Sequence, residues 1–256
     1  MYRIATPISH LFNNPNYAQI IMDVSDCLEA RERSEAHYLT IAEVYHFDIQ
    51  PIHELDKSVF DFLDYIKQRG NKLKLISFHL ASSCDKPVVD NGIFLSGGKD
   101  YSEAELIRNS QYNFQIIRKI FGDNVLIAVE NNNYYESEAY RYVTEASFIK
   151  RVVEDNDIYL LYDMAHARVT AYNRGMPYEV YRDQLPLDRM IQIHFIGHSI
   201  EPSGRAIDSH TYPSDLDFIE LISLLKKYDV KYITPEYYKD FEGLFKIISQ
   251  IRKAVH

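Results

Sequence analysis

Nowhere in these 256 residues does an apolar run approach the ~18 consecutive residues of a membrane-spanning helix, which argues against a membrane protein. The first residues, MYRIATPISHLF, lack the basic start, apolar middle and small-residue cleavage site of a secretory signal and read instead as a strand. Only two cysteines are present, Cys27 and Cys84, in no redox or zinc-finger spacing. A cytoplasmic setting is therefore expected, with Cys84 a free, partly exposed thiol. Basic residues are outnumbered, 28 Lys and Arg against 37 Asp and Glu, giving a net charge of −9. That balance argues against nucleic acid as the partner, because phosphate neutralisation needs clustered cations. The Gly-rich turn G-x-G-x-x-G of dinucleotide-binding folds is missing too, and the glycine pair in SGGKD (96–100) is too little to signal a phosphate site.

What is present is alternation. Short β-rich runs at 2–8, 25–31, 47–53, 72–79, 124–130, 157–163, 189–195 and 230–236 are separated by amphipathic stretches. The clearest of these stretches are 34–46, 57–70, 101–122, 215–228 and 240–255. Gly70 and Gly122 mark helix ends and Ser214 a helix start. Eight strands alternating with helices in about 250 residues is the pattern of a (β/α)8 TIM barrel. No repeat or linker interrupts it, so a single domain over 1–256 is expected. The segments 80–100 and 164–188 read as long loops that wall the site.

Polar residues collect at the strand ends: Glu29, His53, His79, Glu130, Asp163, His194 and Glu236. A lone His or carboxylate at a strand end is usually a satisfied polar group. Seven of them on one barrel face is another matter, since enzymes of this fold build their sites there. Asp163 is followed by His166, His194 by His198, and Asp208 and His210 sit together in AIDSH after strand seven. Mixed carboxylate and imidazole donors suit iron, manganese or zinc, and the number of candidates exceeds the three or four ligands one ion needs. His194 and His198 lie four apart, a helical clamp spacing, but the β-rich run and Gly197 between them assign His194 to the strand end and His198 to the loop beyond. Glu130 opens the polar run Asn131, Asn132, Asn133, where a turn and a substrate- or metal-facing amide are both open. His10 faces the same end; His37, His46 and His256 are taken as solvent or packing residues.

The stretch 160–213 resembles the multinuclear non-haem iron-dependent oxidative enzymes (MNIO). These are relatives of the iron enzyme of methanobactin biosynthesis, within the xylose-isomerase-like TIM barrels. The resemblance rests on the Asp163–His166 element, the TAYNRG stretch, LPLDR, IHFIGH and then DSH, in order. Upstream, ISFHLASS, IAVENN and the run into His53 are similar to family elements, and ITPEYY to the last ligand Glu. The family's His-Gly-Val-Gly turn is missing after His53, and the spacing from His53 to His79 is short. The resemblance implies a metal set of His53, His79, Glu130, Asp163, His166, His194, Asp208, His210 and Glu236, with Asp208 and His210 catalytic. Asn131, Asn133 and His198 would orient ligands or touch substrate. It further implies two or three irons, dioxygen, a precursor peptide modified at cysteine, and a partner protein that presents the peptide.

Three other readings compete. A divalent-metal (Mn, Mg or Zn) sugar isomerase or epimerase of the same superfamily would need only Glu130, Asp163, His194 and Glu236. The histidines at 79, 166, 198 and 210 are surplus to it. A zinc phosphodiesterase on abasic DNA explains the many ligands but not the acidic charge. A non-catalytic metal scaffold requires saturated ligands with no open position.

Overall fold

The structure, a computed structural model, describes residues 2–254. Its strands are β1 (Arg3–Pro7), β2 (Cys27–Ala30), β3 (Val44–Phe47), β4 (Leu75–His79), β5 (Leu126–Glu130), β6 (Tyr159–Asp163), β7 (Met190–Phe195) and β8 (Tyr232–Pro235). Each pairs in parallel with its chain neighbours, and β8 pairs with β1, so the sheet closes. This is the expected (β/α)8 barrel.

The outer layer holds α1 (Pro15–Val24), α2 (Ala36–Leu39), α3 (Lys57–Arg69), α4 (Glu103–Phe121), α5 (Ala146–Asp155), α6 (Met164–Asn173), α7 (Tyr178–Arg182), α8 (Asp215–Lys227) and α9 (Phe241–Ala254). Their starts are written in the sequence. Ser102 and Ser214 each form a capping box, with Glu105 and Asp217, at the heads of α4 and α8. Asp56 caps α3, which stops at Gly70, as α4 stops at Gly122.

Inside the barrel the strand period of two separates two layers. Ala5, Val44, Leu75, Ala128, Leu161, Ile191 and Tyr232 pack into an apolar plug at the bottom. Two residues further along their strands come His46, Ser77, Glu130, Asp163 and Thr234. Farther up stand His79 and Glu236, so the polar face rests on the plug. In β7 the register slips by one residue against β6, pairing Leu160 with Met190 and Leu161 with Gln192. The slip lets Ile191 join the plug while Gln192 and His194 still turn inward.

Five expectations are corrected. The third strand is Val44–Phe47, not 47–53: Pro51 has no N–H to give a ladder, and the chain from 48 onward turns. The helix expected over 34–46 is one turn, Ala36–Leu39, with no side-chain hydrogen bond at its cap. The segment 164–188 is mostly α6 and α7 rather than a loop, and 80–100 contains a hairpin, Val88–Asp90 with Ile93–Leu95. Cys84 is fully buried beside the Ser82 hydroxyl (3.2 Å), because the chain folds over it. The expected helix end at Val255 and the terminal His256 lie outside the described residues.

Candidate metal centre

The polar layer forms a compact basin of imidazoles and carboxylates at the C-terminal mouth. Glu130, fully buried at the end of β5, stands at its middle. Its Oε2 lies 3.1 Å from His79 Nδ1 and 3.7 Å from His46 Nε2. Its Oε1 lies 2.9 Å from His194 Nδ1 and 3.9 Å from His166 Nδ1. His194 Nδ1 also faces Glu236 Oε1 at 3.3 Å and Asp163 Oδ2 at 3.9 Å. On the far side, Asp208 Oδ2 sits between His166 Nε2 (3.4 Å) and His210 Nε2 (3.3 Å).

Four of the five histidines around this basin have one ring nitrogen engaged by the protein and the other turned inward. His166 Nδ1 donates to Asn131 O (2.9 Å) and His210 Nδ1 to Glu236 O (3.0 Å). His46 Nδ1 is hydrogen-bonded to the Ser77 hydroxyl (2.8 Å), and His194 Nε2 donates to Glu29 Oε2 (3.3 Å). His79, the fifth, has only Asp48 Oδ1 at 3.8 Å beyond its outer nitrogen. Such tethering fixes which nitrogen is bare, as ligating histidines require.

Buried atoms left without a hydrogen-bond partner mark the same place: His194 Nδ1, Asp163 Oδ2 and Asp208 Oδ1. An unsatisfied polar atom in a buried site is costly unless something polar or charged completes it. The near approach of His194 Nδ1 to Glu130 brings together two groups aimed at a common point, where an ion would take the place of a proton. Among the described residues, the sets His46–His79–Glu130, Glu130–Asp163–His166 and Glu29–His194–Glu236 each bring three donor atoms within 4.8 Å of one another. Donor chemistry and orphaned atoms both fit divalent metal.

The electrostatics follow from crowding. Burial pushes the Asp163 carboxyl up, His166 opposes, and Glu130, Glu236 and Asp208 add to the rise, leaving it at about 7. Burial also raises Glu130, but His79, His46 and His166 outweigh it and hold this carboxyl well below the usual range. Burial disfavours charge on His194 and His166, yet the surrounding carboxylates win and raise both well above the usual imidazole value, so in the metal-free chain the inward nitrogens hold protons that a bound ion would displace. His46 goes the other way: burial and the neighbouring His79 keep it neutral.

Of the sequence-predicted residues, His79, Glu130, Asp163, His166, His194, Asp208, His210 and Glu236 come together in this basin. His53 does not: its Nε2 donates to Ser82 O (2.8 Å) and its ring stacks on Tyr101. His46, read from the sequence as a packing residue, stands there instead. The signal was in the alternation, since His46 follows the plug residue Val44 by two. Asn131 exchanges two hydrogen bonds with the Asp163 backbone (2.9 and 3.0 Å), tying the ends of β5 and β6. Asn133 is half-buried and donates its N–H to Asn132 Oδ1. His198 sits in a hairpin strand (Gly197–Ile200, paired with Ala206–Thr211) rather than a loop. The second hairpin strand delivers Asp208 and His210, and His210 is held at φ 44°, a strained setting for a non-glycine residue. Sequence reading also passed over Arg31, which bonds Glu29 (2.7 Å) and Glu236. A cavity of about 650 Å3 opens beside it, lined in part by Ser9, His10, Phe12, Arg31 and Tyr238.

Fold and basin together define a (β/α)8 barrel whose mouth is furnished with metal-ligand chemistry. The sequence profile of the RiPP precursor modification enzymes MbnB/TglH/ChrH matches residues 58–235, and the chain belongs to that family. Among curated relatives, a UPF0276 protein of Acaryochloris marina is 29% identical over 157 residues, 60% of this chain and 54% of that protein. A UPF0276 protein of Neisseria meningitidis serogroup B is 30% identical over 99 residues, 37% of this chain and 35% of that one. The chain thus matches about half the length of these relatives or less. Among solved structures, a D-tagatose 3-epimerase-like protein superposes with a TM-score of 0.62 at 17% identity, covering 98% of both chains. A xylose isomerase domain protein from Alicyclobacillus acidocaldarius gives 0.62 at 12% identity, covering 100% of this chain and 98% of that one. At such identities these likenesses concern the fold alone. No helix among the described residues is long and apolar enough to cross a membrane.

Proposed function

We propose that this chain is a multinuclear iron enzyme that uses dioxygen to modify a ribosomally made precursor peptide, at cysteine, with a partner protein presenting the peptide. The observation that carries the reading is the surplus of pre-set donors: tethered imidazoles facing four carboxylates, more than one ion can use. One group of residues to hold iron is His46, His79 and Glu130; another is Glu130, Asp163, His194 and Glu236; a third, nearer solvent, is His166, Asp208 and His210. His53, drawn into the ligand set by the resemblance, is left out. Bound iron would supply one-electron redox chemistry and the means to use dioxygen.

The protein's own part is positional. Glu130 spans the first two groups through its separate oxygens, which fixes their spacing. Asn131 locks the backbone of Asp163, and the Asn131 carbonyl orients His166. Asp208 and His210 stand at the open rim, where they would meet a substrate thiol and take its proton, Asp208 being the acceptor closest to both imidazoles. His198, on the same hairpin as Asp208 and His210, and Asn133 would serve as substrate contacts. The buried plug keeps water from reaching the basin from below.

A divalent-metal sugar epimerase has one observation in its favour, the convergence of Glu130, Asp163 and Glu236 on His194 Nδ1. It leaves His46, His79, His166 and His210 without work. Metal analysis of anaerobically purified protein decides between them. Two or more iron ions per chain, with oxygen uptake that depends on a cysteine-containing precursor peptide encoded nearby, is the expected result. One manganese or magnesium per chain with activity on a ketose would sink it.

A further inference from the structure

Donor atoms of Glu29, His194 and Glu236 also lie within 4.8 Å of one another, yet the Glu29 oxygens are already engaged. Glu29 Oε1 accepts from Arg31 Nε (3.1 Å) and Nη2 (2.7 Å). Glu29 Oε2 accepts from Gln192 Nε2 (2.7 Å), Thr234 Oγ1 (3.1 Å) and His194 Nε2 (3.3 Å). Five donors on one carboxylate use all of its roughly four lone-pair directions. Arg31 reaches on to Glu236, so a permanent cation already bridges the two acids.

We propose that Glu29 is a positioning residue and not a ligand, and that Arg31 stands where a further ion would otherwise bind. By accepting a hydrogen bond from the Nε2–H of His194, Glu29 keeps that proton on Nε2 and leaves Nδ1, aimed at Glu130, Asp163 and Glu236, as the nitrogen free to take an ion. Gln192 and Thr234 hold the carboxylate in that pose. Arg31 neutralises the Glu29–Glu236 pair and so restricts metal to the Glu130-centred groups and the Asp208 rim. The inference rests on the metal reading given above.

Zinc is a suitable probe, since it needs no exclusion of oxygen and is silent magnetically. The full chain, stripped with chelator and reloaded, is followed by ion count at saturation and by competition with a chromophoric chelator. Glu29→Gln is expected to bind as many zinc ions as the unaltered chain, with one dissociation constant raised roughly 10- to 100-fold, the usual effect of losing a partner of a ligating histidine. Saturation one ion short, or unchanged affinity, would overturn the assignment. Arg31→Met is expected to take up one extra zinc per chain; an unchanged count overturns the role given to Arg31. Nitrogen-15 NMR of the zinc-loaded, unaltered chain needs no variant to fold. It is expected to show His194 protonated at Nε2 and metal-bound at Nδ1, and coordination through Nε2 would refute the proposal. A wild-type chain that takes up no zinc would instead refute the metal reading beneath it.

Discussion

His46 and His53 are seven residues apart, both buried, and differ in what their free nitrogen meets. His46 keeps Nε2 for Glu130, whereas His53 spends Nε2 on the Ser82 carbonyl. His46→Ala is therefore expected to lose one metal ion per chain and lower activity by about 100-fold or more, since partners that merely orient ligands are already worth 10–100-fold. His53→Ala should keep the full ion count and cost about 1–2 kcal/mol of stability from one buried hydrogen bond and the Tyr101 stack. Ion counting and thermal melts on the two variants separate them; the opposite pattern would restore His53 to the centre. The sequence alone singled out His53, which the structure places outside the basin. The apolar letters of FDIQPIH outweighed its proline, and a helical reading of 34–46 swallowed the real strand. The other ligand candidates were legible because each closes an apolar strand, so that burial, chemistry and position coincide at one residue. Arg31 was illegible for a different reason: its partner Glu236 lies 205 residues away, and only barrel closure joins them.

At the scale of the element, the hairpin after β7 is the part that the sequence describes least and the centre needs most. Its residues alternate weakly, and it read as a loop. Yet it carries Asp208 and His210, and its first residue, Gly197, lies against the opposite strand. A Cβ at Gly197 would come within 2.9 Å of the carbonyl oxygens of Thr211 and Tyr212, and neither backbone group can yield. Gly197→Ala is expected to destabilise the chain by about 1–3 kcal/mol, as overpacking does. It should also empty the His166–Asp208–His210 group before the deeper ones. Melting temperature and ion count together check this; a destabilised variant with full ion content would detach the hairpin from metal holding. The strands themselves were legible to within two or three residues at most ends, β3 excepted, because a parallel barrel buries both faces of each strand.

For the whole molecule, the basin stores charge that metal would relieve. His166 and His194 have raised values, so the stability they lend the metal-free chain is complete below the ordinary imidazole value of 6.5 and is lost as pH climbs through their folded values. Asp163, raised to about 7, costs stability as pH rises from the ordinary carboxylate value to 7 and adds no further change above it, so the alkaline loss belongs to the two imidazoles. The depressed values of His46, His53 and His198 act in the opposite sense, but their contribution is complete by about pH 7.5 once the unfolded chain has lost those protons. The metal-free chain should therefore lose several degrees of melting temperature between pH 7.5 and 9, while the metal-loaded chain should not. Melts in chelator and in metal across that range test it; parallel curves would mean that the basin's protons and the metal do not compete.

The apolar plug under the polar layer carries one more consequence. With its floor sealed by Val44, Leu75, Leu161 and Tyr232 among others, the barrel is closed from below among the described residues and its basin opens at the C-terminal mouth. Under the proposed function, ions, oxygen and substrate would all pass the same rim, between the hairpin of Asp208 and the cavity beside Arg31. Loading and turnover would then be ordered in time: the centre would have to be filled before a peptide settled over it, and a bound peptide would itself be the cover that keeps the ions in.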